Sequence, residues 1–321
     1  MSRPKVLVTR KIPKVGIEML QRVADVDVWP GEMPPPRDEL LKRVAGCNGL
    51  LSMLSDGVDG ELLDRAGSGF KVVSNYAVGY NNIDVSAAQE RGVAVGNTPD
   101  VLTDSTADLA VTLLLAAARR LPAAIENVKQ GEWKTWEPMG FLGVDLRGKT
   151  VGILGMGRIG LAVAQRLQGG WGMKVLYTAR TAKPDADQMG AKHVQLTEML
   201  QQSDFVSVHC PLTDQTRNLL DETKFALMQP HAVLVNTARG DVIDQEALAD
   251  ALEGGKIFAA GLDVTTPEPL PPTHRLVQLE NCTIAPHIGS ASVQSRDDMA
   301  RLAAENILAG LAGKPLPNPV S

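Results

Sequence analysis

Three glycines, in Gly155-Met-Gly157-Arg-Ile-Gly160, stand between the β-branched segment Val151-Gly-Ile-Leu and an amphipathic stretch at 161–167. Little else in the chain leaves so few options. The pattern asks for a strand, a turn too tight for side chains, and a helix lying close against the strand. Such a turn presents backbone amides and a helix N-terminus to a pyrophosphate, so a dinucleotide-binding βα unit is expected here.

The rest of the chain repeats the βα pattern. Before the glycines, residues 5–9, 26–29, 49–54, 71–74 and 93–96 read as buried strands, and 16–24, 37–45, 60–66 and 85–91 carry helical spacing. After residue 149, strands are expected at 150–154, 174–177, near His193, 205–209, 232–236, 259–263 and 283–285. Strands alternating with helices imply parallel sheets covered on both faces. A long helix at 105–119 separates the two series, with Thr103, Asp104, Ser105 and Thr106 as capping candidates and Pro122 just beyond its end. Residues 131–147, which include Trp133, Trp136 and Pro138, break the pattern and read as a loop-rich arm or subunit contact. A last helix at 293–311 has no strand after it and is expected to pack back on the first series. The expected fold class is α/β: two doubly wound, Rossmann-like parallel-sheet domains with a cleft between them. The expected domains are 1–100 with 291–321, flavodoxin-like, and 101–290, a Rossmann domain that includes the long helix.

Composition narrows the function classes. The 321 residues are 44% hydrophobic and 21% charged, an ordinary soluble balance with material for two cores. A net charge of −5 argues against a nucleic-acid partner and means that an anionic ligand must be met by locally placed cations. The longest apolar run, 109–118, is about half a membrane span. The start, Met1-Ser-Arg-Pro-Lys, has no signal-type segment, so no membrane association and a cytoplasmic location are expected. Cys47, Cys210 and Cys282 are far apart and lack C-x-x-C spacing; they read as small buried hydrophobes in a reducing compartment, and no metal site is expected.

At the end of the second strand of the later series, a carboxylate for a ribose 2′-hydroxyl would be usual. Here the segment is Tyr177-Thr-Ala-Arg180-Thr181-Ala-Lys183, with no carboxylate before Asp185. Arg180 offers a planar donor fork suited to a 2′-phosphate and Lys183 adds charge, so NADPH is the expected cofactor, with NADH the weaker alternative. The other strand ends are equally unusual: His209-Cys-Pro211, Asn236-Thr237-Ala238-Arg239-Gly, Asp263 and His287-Ile-Gly289-Ser290. Reduction of a 2-keto acid needs a cation for its carboxylate, an acid for the developing alkoxide, and a partner that keeps that acid protonated. Arg239, His287 and Glu268 suit those three roles. His193, His231 and His274 read as structural or surface residues.

These motifs resemble the D-isomer-specific 2-hydroxyacid dehydrogenases, and within them the glyoxylate/hydroxypyruvate reductases, over essentially the whole chain. The resemblance implies an Arg239–Glu268–His287 mechanism and a homodimer built around the long helix. It makes Asn75-Tyr-Ala-Val78-Gly79 a substrate-carboxylate loop, with Leu54 and Ser55 as further substrate contacts beside Arg239 and His287. It implies cofactor contacts from Thr106, Gly155, Gly157, Arg158, Ile159, Gly160, Arg180, Thr181, Lys183, His209, Pro211, Thr216, Thr237, Ala238, Arg239, Asp263, His287, Gly289 and Ser290, with Asp263 at the nicotinamide amide. Asp108 departs from the family's usual glutamate, and no residue of Trp136-Glu-Pro-Met-Gly-Phe aligns clearly with the aromatic that a partner subunit offers. The alternatives are another D-2-hydroxyacid dehydrogenase, acting on D-lactate, 3-phosphoglycerate or a bulkier keto acid, and a dinucleotide-sensing corepressor-like binding protein.

Overall fold

The computed structural model describes residues 3–320; Met1, Ser2 and Ser321, which belong to the expected first domain, lie outside the described residues. The chain divides into two compact units, Met1–Leu102 with Ser290–Ser321, and Thr103–Gly289. The two crossings thus fall a residue or two from the expected positions, and Ser290 goes with the first unit.

In the first unit, β1 (Lys5–Val8), β2 (Asp25–Val28), β3 (Gly49–Ser52), β4 (Val72–Asn75) and β5 (Ala94–Gly96) form one parallel sheet in the order β2-β1-β3-β4-β5. That is the flavodoxin order. The strands β3 and β4 are buried throughout, whereas the edge strand β2 alternates exposed and half-buried residues. The final helix, Val293–Leu311, lies so close to β4 that a Cβ at Gly310 would stand 2.5 Å from Val72 Cβ. Beyond it the tail covers the other sheet edge, with the Val320 amide donating to Val95 O at 2.8 Å.

In the second unit, β6 (Thr150–Leu154), β7 (Lys174–Thr178), β8 (Lys192–His193), β9 (Phe205–Val208), β10 (Val233–Asn236), β11 (Ala259–Leu262) and β12 (Cys282–Ile284) form a seven-stranded parallel sheet. Its order, β12-β11-β10-β9-β6-β7-β8, is the doubly wound dinucleotide arrangement with one added strand, and the order reverses between β6 and β9. The helix Thr103–Ala118 lies against β10 and β11, where Gly261 leaves room for Leu113. It begins two residues earlier than expected, which puts Thr103 through Thr106 inside its first turn instead of before it. Pro122 lies just past the end of that helix at Ala118, as expected, and it also opens a second helix, Leu121–Lys129, where its missing N–H costs nothing. Residues 131–147 are irregular as expected, with Trp133, Trp136 and Met139 67–79% exposed. Cys47 and Cys210 are buried, Cys282 is only half-buried, and all three are free thiols. Among the described residues no helix is long and apolar enough to cross a membrane.

Candidate active site

The glycine turn shows three different demands. Gly155 has φ +99°, and a Cβ there would stand 2.5 Å from Cys210 N. A Cβ at Gly160 would meet Gly155 O at 2.3 Å, so this glycine lets the helix Arg158–Trp171 lie on the turn. At Gly157 a Cβ would meet no protein atom within 4 Å. That glycine opens outward, and as N-cap it brings no side-chain acceptor to the helix N-terminus, an end of the helix that suits an anion. The geometry fits a pyrophosphate.

Next to it, the Gly155 amide donates to Thr178 O at 2.9 Å, tying the turn to the end of β7. Arg180 and Thr181 are exposed and Lys183 is half-buried. None of their three side chains has a hydrogen-bonding or ionic partner among the described residues. At the end of β9, His209 bonds Ser207 Oγ at 2.7 Å, and burial pushes its imidazole down to about 3, so it is neutral at physiological pH. Thr216 turns inward: its hydroxyl donates to Pro211 O at 2.7 Å and accepts the Thr213 amide, which engages it in its own loop.

Asn236, fully buried at the end of β10, shapes the next turn. Its Oδ1 accepts the Ala238 amide at 2.9 Å and its Nδ2 donates to Arg239 O at 2.9 Å. Thr237 Oγ1 is buried there without a partner among the described residues. Arg239 is half-buried, its Nη1 donating to Ala238 O; burial pushes its pKa down while the charge of Glu268 opposes that.

Asp263, at the end of β11, holds the turn that carries His287. Its backbone oxygen accepts the His287 amide at 3.0 Å, and its carboxylate accepts the Ile288 and Gly289 amides at 2.7 Å each. His287 sits at φ +54°, a region that a non-glycine residue occupies only when its surroundings impose it. Gly289 lies beside Thr106, where a Cβ would come within 3.4 Å of its side chain. Glu268 Oε2 is 2.8 Å from His287 Nδ1, and its Oε1 accepts the Thr265 amide at 3.0 Å. Burial pushes the Glu268 carboxyl up, but the hydrogen bond and charge of His287, the Thr265 amide and Arg239 together hold it below its usual range. Asp263 goes the other way, raised by burial despite its two amides.

In the first unit, Leu54 and Ser55 follow β3, and Val78 and Gly79 follow β4. Asn75 Nδ2 donates to Gly79 O at 2.8 Å and Asn97 Nδ2 to Val78 O at 2.8 Å. With both carbonyls pinned, the Val78 and Gly79 amides donate to no described residue. Sequence reasoning placed Asn75 and Asn236 inside motifs without a role of their own and passed over Asn97; their signal is an asparagine at or just past a buried strand end. His231 bonds Asp204, His193 stacks on Tyr177, and His274 caps the helix Arg275–Gln278. No group of three or more metal-ligating side chains occurs among the described residues.

The family described as D-isomer specific 2-hydroxyacid dehydrogenase, NAD binding domain, matches residues 111–289. The chain is 50% identical to the human glyoxylate reductase/hydroxypyruvate reductase, covering 98% of this chain and 97% of the human one. A solved protein of Thermus thermophilus superposes with a TM-score of 0.93 at 48% identity, covering 99% of this chain and all of the other. An NADPH-dependent glyoxylate/hydroxypyruvate reductase from Sinorhizobium meliloti, solved with NADP and malonate, superposes with a TM-score of 0.85 at 34% identity, covering 100% and 97%.

Proposed function

The chain belongs to the D-isomer specific 2-hydroxyacid dehydrogenase family, and from that membership we propose that it reduces glyoxylate and hydroxypyruvate to glycolate and D-glycerate with NADPH. The observation that carries the reading is the His287–Glu268 hydrogen bond within electrostatic reach of Arg239. The substrates named for the human relative support the choice of keto acids.

Held at the glycine turn, NADPH supplies the hydride that goes to C2 of the keto acid. Arg239 grips the substrate carboxylate through its guanidinium fork and polarises the carbonyl. In the first unit, the Val78 and Gly79 amides, which donate to no described residue, are donors of the kind a carboxylate takes. Glu268, ionised and therefore able only to accept, takes Nδ1–H of His287. The ring is then oriented so that Nε2 is the nitrogen that exchanges a proton. As the carbonyl is reduced, Nε2–H passes to the oxygen and leaves a neutral imidazole with its proton on Nδ1. In the oxidation direction the same nitrogen takes the proton back.

The free side chains of Arg180, Thr181 and Lys183 support NADPH over NADH, as does the NADP bound to the relative from Sinorhizobium. Exposed Leu121, Ile125, Val128, Trp133 and Trp136 support a homodimer that covers them. The free thiols support a reducing, cytoplasmic setting. The test follows absorbance at 340 nm with glyoxylate and hydroxypyruvate, each with NADPH and NADH. Turnover of both acids with NADPH is expected, and its loss in Arg239→Ala and His287→Ala. Silence with both keto acids overturns the substrate assignment; turnover with NADH alone removes the cofactor assignment and leaves the reaction class standing.

A further inference from the structure

The segment between β7 and the helix Pro184–Gln188 is fastened at each end and open in the middle. At its start, Gly155 N donates to Thr178 O, Thr178 Oγ1 donates to Val194 O at 2.9 Å, and His193 Nε2 bonds Ala179 O at 2.9 Å. At its far end, the Lys183 amide donates to the Tyr177 hydroxyl at 2.8 Å. That hydroxyl donates in turn to Asp187 Oδ1 at 2.8 Å, so both of its functions are engaged. The Tyr177 ring is fully buried in the core of the second unit, and His193 stacks on it at 5.0 Å with an interplanar angle of 24°. Between the fastenings, the side chains of Arg180 and Thr181 have no partner among the described residues. A flexible loop would lose ordering entropy in gripping an anion; a loop fixed beforehand does not.

We propose that Tyr177, fixed by Asp187 and stacked on His193, is a positioning residue that presets the Arg180–Lys183 loop for the cofactor's 2′-phosphate and so sets the NADPH preference. The inference rests on the NADPH reading given above. Tyr177 touches no part of the cofactor in this account. It acts through the backbone of Lys183, which itself carries one of the charges that do and closes the loop that begins at Arg180.

The experiment compares wild type with Tyr177→Phe, which keeps the ring and removes only the hydroxyl. Binding of 2′,5′-ADP and of 5′-AMP is measured by calorimetry, and KM for NADPH and NADH by rates. Loss of one net hydrogen bond corresponds to about a five- to tenfold change. The expected result is weaker 2′,5′-ADP binding and a higher KM for NADPH by that factor, with 5′-AMP, NADH and Tm near wild type. Asp187→Ala, on the outer side of the hydroxyl, is expected to give a smaller loss of the same selectivity, and Asp187→Asn to restore it. Equal weakening of both nucleotides, or no change in either, overturns the proposal. A wild-type protein that binds 2′,5′-ADP no better than 5′-AMP removes the cofactor reading itself, and the proposal with it.

Discussion

Glu268 Oε2 lies 2.8 Å from Nδ1 of His287, which leaves Nε2 as the ring nitrogen available to a substrate. The carboxyl that makes this bond is held below its usual range, so it stays ionised through the neutral pH range. In Glu268→Gln the amide oxygen can still accept Nδ1–H, but the negative charge is gone. We expect kcat to fall about 10²-fold with KM for the keto acid changed little, because the lost interaction belongs to proton transfer. His287→Ala is expected to cost about 10²- to 10⁴-fold. Steady-state rates at several pH values check both, and a Glu268→Gln enzyme with wild-type kcat would show that the pair is only structural.

Asp263 spans residues 287 to 289 with one backbone oxygen and two carboxylate oxygens. Its asparagine replacement places an NH₂ group where one of two amides now donates, so a donor faces a donor. The expected outcome for Asp263→Asn is a kcat reduced at least about tenfold, since a turn displaced by even a fraction of an ångström misdirects His287. Its Tm should fall by only a few degrees, as removing a buried charge offsets part of the lost bonding. Thermal melts beside rate measurements separate the two effects.

How far the sequence carried this far can be read from individual residues. The helix Gly60–Ala66 and strand Thr150–Leu154 lie where their patterns predict them, because each has a clear period and a cap or turn at its boundary. The helix Gln245–Glu253 was legible and went unread: Asp244 caps it, and Leu248, Ala249, Ala251 and Leu252 supply the buried face. Pro122 carried an ambiguous signal, since proline both follows helices and starts them. Arg239 and His287 stood out as chemistry at strand ends and Glu268 as a carboxylate suited to the histidine, yet the hydrogen bond from His287 to Glu268 spans 19 residues and only the folded chain brings it about. The same holds for Asp263, whose amide partners lie 25 and 26 residues away. Sequence reasoning assigned it to the cofactor, and the structure shows what it does for the His287 turn.

Asp204 gives a pH-dependent prediction away from the candidate site. It accepts the Thr150 amide at 2.8 Å, bonds His231 Nε2 at 2.7 Å and lies 3.6 Å from Lys149 Nζ. Burial raises its pKa, but these partners outweigh burial and lower it. A carboxyl depressed on folding contributes stability above its unfolded pKa of about 3.9 and loses it as pH falls through the folded value. With its partial exposure discounted, about 1 kcal/mol is expected. The Tm difference between wild type and Asp204→Asn should therefore be full at pH 6–8 and close below about pH 4. A gap that is the same at pH 3 and pH 7 would mean that the carboxylate's charge contributes nothing.

Gly157 and Gly160 stand three positions apart in one turn and should fail in opposite ways. A methyl group at Gly160 would sit 2.3 Å from Gly155 O, a backbone atom that cannot swing aside. Gly160→Ala must therefore push the helix Arg158–Trp171 off β6, and a core overpacked in this way loses about 1–3 kcal/mol. Tm should drop and nucleotide binding should weaken with it. A methyl at Gly157 meets no protein atom within 4 Å. Gly157→Ala should fold with a Tm near wild type, yet bind dinucleotide at least about tenfold more weakly, because on the proposed reading the methyl fills the space where the pyrophosphate would approach the protein backbone. Thermal melts and NADPH fluorescence titration on the two variants read the contrast directly. If Gly157→Ala binds NADPH as wild type does, the pyrophosphate does not lie on this turn.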